Sequence, residues 1–244
     1  MSTTHGYGTG TAVPDITLYF LQASRAIRVA WLLHELNLDY KLEFFDREKE
    51  KAPANYKEVS GSPLGKSPFL RDGPVEVGES GAICEYLVQK YDGEGRLMGK
   101  GDEQDNAKVL EWVHAAEGTF AIHALAVLYC RWMVSAEAFA AAEKALSANV
   151  QKDLDWLDAE LAKSSSGWLV GEDLSLADIM VQFCIEFIFA RRLGIRGEGK
   201  DRWKNVREWM DKCENSKSYK AAVAQTGYTL YPRTGVNWQQ FLED

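Results

Sequence analysis

The sequence predicts an α/β domain to about residue 92 and an all-helical domain from about residue 102, a division that rests on three observations. Residues 16–45 read strand, helix, strand. Residues 67–91 read as two short strands followed by a helix. Beyond the stretch punctuated by Gly93, Gly95, Gly99 and Gly101, no segment reads convincingly as a strand. The 244 residues suffice for two such domains.

Ile16 to Leu21 is β-branched and aromatic, the composition of a short strand. After Ser24, Ala26, Val29, Ala30 and Leu33 recur at helical spacing, and Ile27, Trp31 and Leu32 widen the apolar face. A face that wide suits a helix held between a sheet and another layer. Tyr40 to Phe45 reads as a second strand, and Pro53 to Val59 as a short helix. Ser67 to Arg71 and Val75 to Val77 read as strands joined at Asp72-Gly73, a hairpin signal. Glu79 to Tyr91 is helical, with Ile83, Leu87 and Tyr91 on one stripe. In the second half, Ala107 to Val134 and Phe139 to Lys163 are long helical stretches. Leu176 to Leu193 is apolar nearly all round, as a central buried helix would be. Asn205 to Glu214 and Tyr219 to Thr226 are shorter helices. The expected organisation is a leader over 1–14, an α/β domain over 15–92, a helical domain over 102–230 and an aromatic tail over 231–244.

With 36 acidic and 28 basic residues the formal net charge is −8, which argues against a protein that wraps nucleic acid. No uninterrupted apolar run approaches the ~20 residues of a membrane helix, so no membrane span is expected. The first fifteen residues carry neither a secretory nor an Arg-rich transit signal. None of Cys84, Cys130, Cys184 and Cys213 forms a C-x-x-C pair, and they read as reduced thiols in a cytoplasmic setting. His5, His34, His114 and His123 lack metal-ligand spacing, so no metal is expected.

Four constellations carry chemical content. Ser24 stands at a strand-to-helix junction, where serine is a favoured N-cap. The same geometry sets its hydroxyl beside unpaired N–H groups and the positive end of the helix dipole, where it can donate to an anion. It has no adjacent base and no G-x-S-x-G elbow. Pro68 opens an apparent strand without an N–H to give a ladder. It reads either as an edge-strand proline or, if Ser67–Pro68 is cis, as a turn that frees the Ser67 N–H and C=O for an extended ligand. Glu79-Ser80 begins a helix. The pair reads as an ordinary first turn, or as a grip on an α-amino acid end: carboxylate for the ammonium, helix terminus for the carboxylate. Ser175-Leu176-Ala177-Asp178 is a capping box, with Leu174 and Ile179 placed as a staple, and its role is structural.

In this order and spacing, the four constellations resemble the cytosolic glutathione transferases over about Ile16 to Tyr231. Ser24-Arg25-Ala26-Ile27-Arg28 is similar to the first-helix motif of the serine-type classes, and residues 24–33 look most like the yeast and fungal group and its bacterial relatives. Pro63-Leu64-Gly65-Lys66-Ser67-Pro68 resembles the loop of the family's cis-proline. Gly78-Glu79-Ser80-Gly81-Ala82-Ile83 resembles the segment that grips the γ-glutamyl end of glutathione. Trp168-Leu169-Val170-Gly171 with residues 175–178 is similar to the second-domain folding motif.

The resemblance implies a thioredoxin-like N-terminal domain, a helical-bundle C-terminal domain and a homodimer. It implies that Ser24 donates to the glutathione sulfur and that Ser67, beside Pro68, pairs with the cysteinyl backbone. Glu79 and Ser80 would hold the γ-glutamyl amine and carboxylate, and Lys66 would reach a carboxylate of the tripeptide. Arg28 matches a recurrent arginine, read as structural. Residues 41–57 offer no assigned partner for the glycine carboxylate, with Arg47 and Lys51 the cations considered. Glu117, Phe120, His123 and Ala124 are candidates to wall a site for the electrophile. The expected activity is conjugation of glutathione to hydrophobic electrophiles, with a glutathione-dependent peroxidase activity as a close variant. A glutathione-binding regulatory protein with little turnover is the alternative. A thiol–disulfide oxidoreductase would want a cysteine where Ser24 stands.

Overall fold

The computed structural model describes residues 14–48, 51–199 and 201–230. The expected tail, and the leader apart from Pro14, lie outside the described residues. The N-terminal part is a thioredoxin-like domain built on a four-stranded sheet of order β2-β1-β3-β4, where β1 is Ile16–Leu21, β2 Lys41–Phe45, β3 Phe69–Asp72 and β4 Val75–Gly78. β1 and β2 run parallel, as a strand–helix–strand unit requires, and β3 and β4 are antiparallel to their neighbours. The crossover helix is α1, Ala26–Glu35. α2 spans Tyr56–Ser60 and α3 spans Ser80–Tyr91.

Strand alternation divides the sheet residues between two faces. Ile16, Leu18 and Phe20 join a large core with α1 and α3, whereas Tyr19 and Leu21 face the other way, into a small cluster with Tyr56 and Phe69. β3 begins at Phe69 rather than Ser67. Pro68 has no N–H for the ladder, and the Ser67 hydroxyl is instead bonded to β1, accepting from the Leu21 N–H at 3.0 Å. The hairpin is tied to α3 by Asp72, whose Oδ2 accepts from Tyr86 (2.8 Å), Lys90 (2.6 Å) and Tyr91 (2.7 Å).

The helical domain comprises α4 (Glu103–Ala115), α5 (Ile122–Met133), α6 (Ala136–Leu161), α7 (Leu176–Arg191), α8 (Lys204–Asn215) and α9 (Lys217–Thr226). α4 and α5 are joined by a π-helical turn, Ala116–Ala121, inside what the sequence reads as one uninterrupted helix. The Asp102 and Ser135 side chains cap α4 and α6, accepting from the Asp105 and Ala138 N–H groups, and so begin both helices a few residues before the expected points. By length and composition the run Glu103–Met133 is long and apolar enough to span a bilayer, although charged residues such as Lys108, Glu111 and Glu117 interrupt it. Here its Val109, Trp112, Val113, Phe120 and Val127 are core residues, and Trp112, Phe120 and Trp156 form a stack with centroids 4.3–6.2 Å apart.

α7 is buried on all sides, as its pattern predicts, and α1 packs against α3, α7 and α9. One core therefore runs through both domains. The first turn of α7 is organised by Asp178. Its fully buried carboxylate accepts from the Ser175 N–H (3.0 Å) and hydroxyl (2.9 Å), the Leu169 N–H (3.0 Å) and the Trp209 indole (2.8 Å). Further along α7, Glu186 accepts from Gln182 (3.2 Å), Tyr219 (3.3 Å) and Tyr228 (3.0 Å). All three donors are neutral, and burial, reinforced by the charge of Glu214, pushes the Glu186 carboxyl up to about 7.

Two expectations follow. Asp178→Ala orphans several buried donors at once and lowers the unfolding free energy by about 3 kcal/mol. A loss under about 1 kcal/mol in urea denaturation contradicts this account. Glu186 is raised in the folded state, so its contribution is present below the unfolded value near 4.5 and is lost as pH rises through 7. Glu186→Gln removes that slope, a gain over the wild type on the order of 2–3 kcal/mol by pH 8. Parallel pH–stability curves for the two proteins would contradict it.

Candidate active site

The site begins where β1 turns into α1. Ala23 takes φ 52°, which sharpens the turn and delivers Ser24 to the helix start. The Ser24 Oγ accepts from the Ala26 N–H, the first of the helix, at 3.2 Å, although the N-cap position itself falls on Arg25. It also lies 3.3 Å from the Ser67 Oγ. Ser67 Oγ accepts from Leu21 and donates to the Tyr19 carbonyl at 3.4 Å. With Ser67 donating to Tyr19, the Ser24 hydroxyl donates to the Ser67 Oγ, and rotation of that hydroxyl turns its proton toward an anion beside the helix N-terminus. Accepting from the first helical N–H and donating to an anion are thus compatible at one atom.

The Ser67–Pro68 peptide is cis. The loop carrying it is held from below by the buried Tyr56, whose OH donates to the carbonyls of Tyr19 and Lys66, each at 3.3 Å. Among the described residues neither the N–H nor the C=O of Ser67 has a backbone partner, which leaves a short free edge beside Ser24. Lys66 is exposed and its ammonium makes no ion pair among the described residues. Arg47 braces the same region, its Nε donating to the Gln22 carbonyl (2.8 Å) and Nη2 to the Ala23 carbonyl (3.4 Å). Lys51 is exposed and pairs through its backbone with Glu48.

α3 starts at Ser80, preceded by Glu79 at φ 65°, ψ 118°. A non-glycine residue held there costs on the order of 1–3 kcal/mol, a strain that marks functional positions. Glu79 is exposed, and Ser80 is buried against α1. Behind Ser80 lies a charge cluster. Arg28 is 1% exposed, and its Nη1 donates to both the Ser80 Oγ (2.9 Å) and the Glu117 Oε1 (2.6 Å). Its Nη2 lies 2.9 Å from the Cys184 sulfur, and its guanidinium stands over the Phe183 ring. Arg25, next to Ser24, donates from Nε to the same Glu117 oxygen at 2.7 Å. Burial alone would raise the Glu117 carboxyl, but Arg28 foremost and then Arg25 hold it below the ordinary carboxylate range. Burial raises the Cys84 thiol to about 12 and the Cys184 thiol upward, so neither is a ready thiolate.

The structure therefore brings Ser24, Ser67 and Pro68 together at one end of α1, and links Ser80 to Glu117 through Arg28. It separates the other residues expected to wall an electrophile site. Phe120 and Ala124 are fully buried, Phe120 in the aromatic stack, and present no surface to a ligand. The His123 ring is engaged by Asp153 of α6 at 2.6 Å. The exposed apolar surface on this helix is instead Ile122, Tyr129, Trp132 and Met133, and Tyr129 is near enough to Arg25 to act on its charge. Helical spacing cannot say which face of a helix the core takes, and here Trp156, from a different helix, decides it. Arg25 was legible only as a motif neighbour of Ser24.

Comparison with known proteins agrees with this two-domain fold. Residues 18–95 match the family model for the glutathione S-transferase N-terminal domain, and residues 120–217 match that for the C-terminal domain. Glutathione S-transferase 3 of Schizosaccharomyces pombe is 32% identical over 206 residues, covering 80% of this chain and 81% of its own. A crystal structure of a glutathione S-transferase from Actinobacillus pleuropneumoniae is 26% identical with a TM-score of 0.75, covering 91% of this chain and 97% of its own. Glutathione transferase URE2P8 of Phanerochaete chrysosporium, crystallised with oxidized glutathione, shares the fold at 20% identity and a TM-score of 0.72, covering 89% of this chain and 97% of its own. With a thioredoxin-like domain, a helical domain and a serine at the head of α1, the chain belongs to the glutathione S-transferase family.

Proposed function

We propose that the head of α1 activates glutathione, with Ser24 as donor to the sulfur, and that the product is a conjugate with a hydrophobic electrophile. The observation that carries this reading is the pair of hydroxyls, Ser24 and Ser67, 3.3 Å apart at the start of α1 and next to the free Ser67 peptide edge. Extended along that edge, the tripeptide pairs its cysteinyl backbone with Ser67 beside Pro68. Its γ-glutamyl end reaches Glu79, which takes the amine, and Ser80 with the α3 N-terminus, which takes the carboxylate. Lys66 is available to a carboxylate of the tripeptide.

The energetics need no general base. A free thiol titrates near ~8.5, so only a few per cent is thiolate at pH 7. Lowering that by ~2 units takes about 2.7 kcal/mol. A hydroxyl donating to an anion supplies roughly 1.5–3 kcal/mol, and the helix terminus about 0.3–1 kcal/mol. The bound thiolate is then the nucleophile, and Ser24 stabilises an anion. The electrophile is placed against the exposed face of α5, where Ile122, Tyr129, Trp132 and Met133 offer apolar and aromatic surface. Peroxide reduction at the same thiolate is a variant of this chemistry. A homodimer in a reducing, cytoplasmic setting and a role in detoxification belong to the same proposal. The four cysteines, all free, support the setting.

Ser24→Ala is expected to keep glutathione affinity within several-fold while raising the bound thiol's pKa by about 1–2 units. Thiolate absorbance of the complex, followed against pH, reads this directly, and an unchanged value removes Ser24 from the mechanism. Glu79→Gly is expected to relieve backbone strain, stabilising the fold by about 1 kcal/mol, while the KM for glutathione rises about tenfold or more. A variant that loses both stability and affinity would show that the strain is not held for binding.

A further inference from the structure

We propose that Glu117 is a positioning residue that limits the positive field at the head of α1 by holding Arg25 and Arg28 on one carboxylate oxygen, and so sets how strongly the site grips its anionic ligand. The inference rests on the reading of that site as the place where glutathione is bound. Three features on three elements carry it. Arg25 and Arg28, on the turn and first turn that also present Ser24, converge on the Glu117 Oε1 at 2.7 and 2.6 Å. Glu117 lies in the π-helical turn, in the helical domain, where the helix departs from α-geometry. Arg28 reaches the proposed γ-glutamyl site through the Ser80 hydroxyl at 2.9 Å.

The groups that act on this cluster are few. Cys184, 2.9 Å from Arg28, is a raised and therefore neutral thiol. Tyr129 acts on Arg25 from α5. Phe183 from α7 offers a ring face to both guanidiniums, 5.7 Å from Arg25 and 5.2 Å from Arg28. Glu117 is thus the one carboxylate bonded to either arginine among the described residues. With it, two guanidiniums and one carboxylate leave a single net positive charge beside a thiolate and a ligand carboxylate. Neutralising Glu117 doubles that charge at a partly buried place, where charges act over several ångströms. The free-standing consequence is a site that binds anions more tightly and releases an anionic conjugate more slowly.

The test compares wild type, Glu117→Gln, Glu117→Asp, Arg25→Gln and Ser24→Ala, each titrated with glutathione and with S-hexylglutathione, with thiolate absorbance followed against pH. Glu117→Gln is expected to lower the bound thiol's pKa by about 0.5–1 unit, to tighten S-hexylglutathione several-fold, and to lower kcat where release limits turnover. Arg25→Gln shifts the thiol the opposite way, and Glu117→Asp restores the wild-type value. A merely structural Glu117 would loosen both ligands and leave the thiol unmoved or raised, and that outcome overturns the proposal. Should Glu117→Gln fail to fold, Arg25→Gln decides: an unmoved thiol there overturns it equally. If Ser24→Ala shifts the thiol and the Glu117 and Arg25 variants do not, this inference alone falls. If Ser24→Ala does not shift it either, the reading of the site falls too.

Discussion

A guanidinium with no access to water must find its partners inside the protein, and Arg28 on α1 is in that position. The cost of leaving such a charge unpaired is several kcal/mol, a large part of the net stability of an ordinary domain. Its partners come from three places in the chain: Ser80 at the start of α3, Glu117 in the π-helical turn, and Cys184 with Phe183 on α7, while its Nε has no partner among the described residues. Pairing the two Nη groups of this one side chain therefore ties two domains together at once. The buried faces of α1 do the rest, since every residue from Ala26 to Leu33 is inside. The Trp31 indole donates to Ser218 of α9 at 2.9 Å, and Arg96 pairs with Glu35 at 2.8 Å, so the far end of α1 is pinned as well.

The site inherits its precision from this arrangement. Ser24 is one residue before Arg25 and four before Arg28, so its hydroxyl is placed by the same anchor that joins the domains. Nearest to it stand hydroxyls, a peptide edge and a helix terminus, which are fixed dipoles, with the Arg25–Arg28–Glu117 cluster behind them. Such groups need little reorganisation when an anion arrives. The acidic total of the chain, −8, is spread over the whole molecule, whereas two arginines and one glutamate stand together at the head of α1.

Local pattern carried the sheet and the helices well. β1 matches Ile16 to Leu21 residue for residue, and α7 is buried all round as its composition requires. Ser24, Ser67 and Pro68 were legible because each is a local exception: a cap after a strand, a proline at a strand start. Other features depend on partners far away in sequence. The π-helical turn has no clear composition signal, and Glu117 meets Arg28 across 89 residues. The burial of Phe120 is decided by Trp156, and Tyr129 and Trp132 are exposed because, among the described residues, no such neighbour covers their side of α5. Periodicity names the faces of a helix and leaves their assignment to the tertiary structure. Hence Ser24 and the Ser67–Pro68 turn stand where local pattern put them, whereas the exposed face of α5 waited on the tertiary structure.

α1 also determines what can be taken apart. A fragment ending near residue 92 would keep its strands and turn chemistry, yet it would show solvent the side of α1 that α7 and α9 now cover, with a bare guanidinium in the middle of an apolar helix. Such a fragment offers a sticky surface and an uncompensated charge together. The two halves of this chain are distinct in architecture and inseparable in manufacture: neither is a portable module, and moving the head of α1 onto another helical partner would require transplanting the carboxylate that answers Arg28.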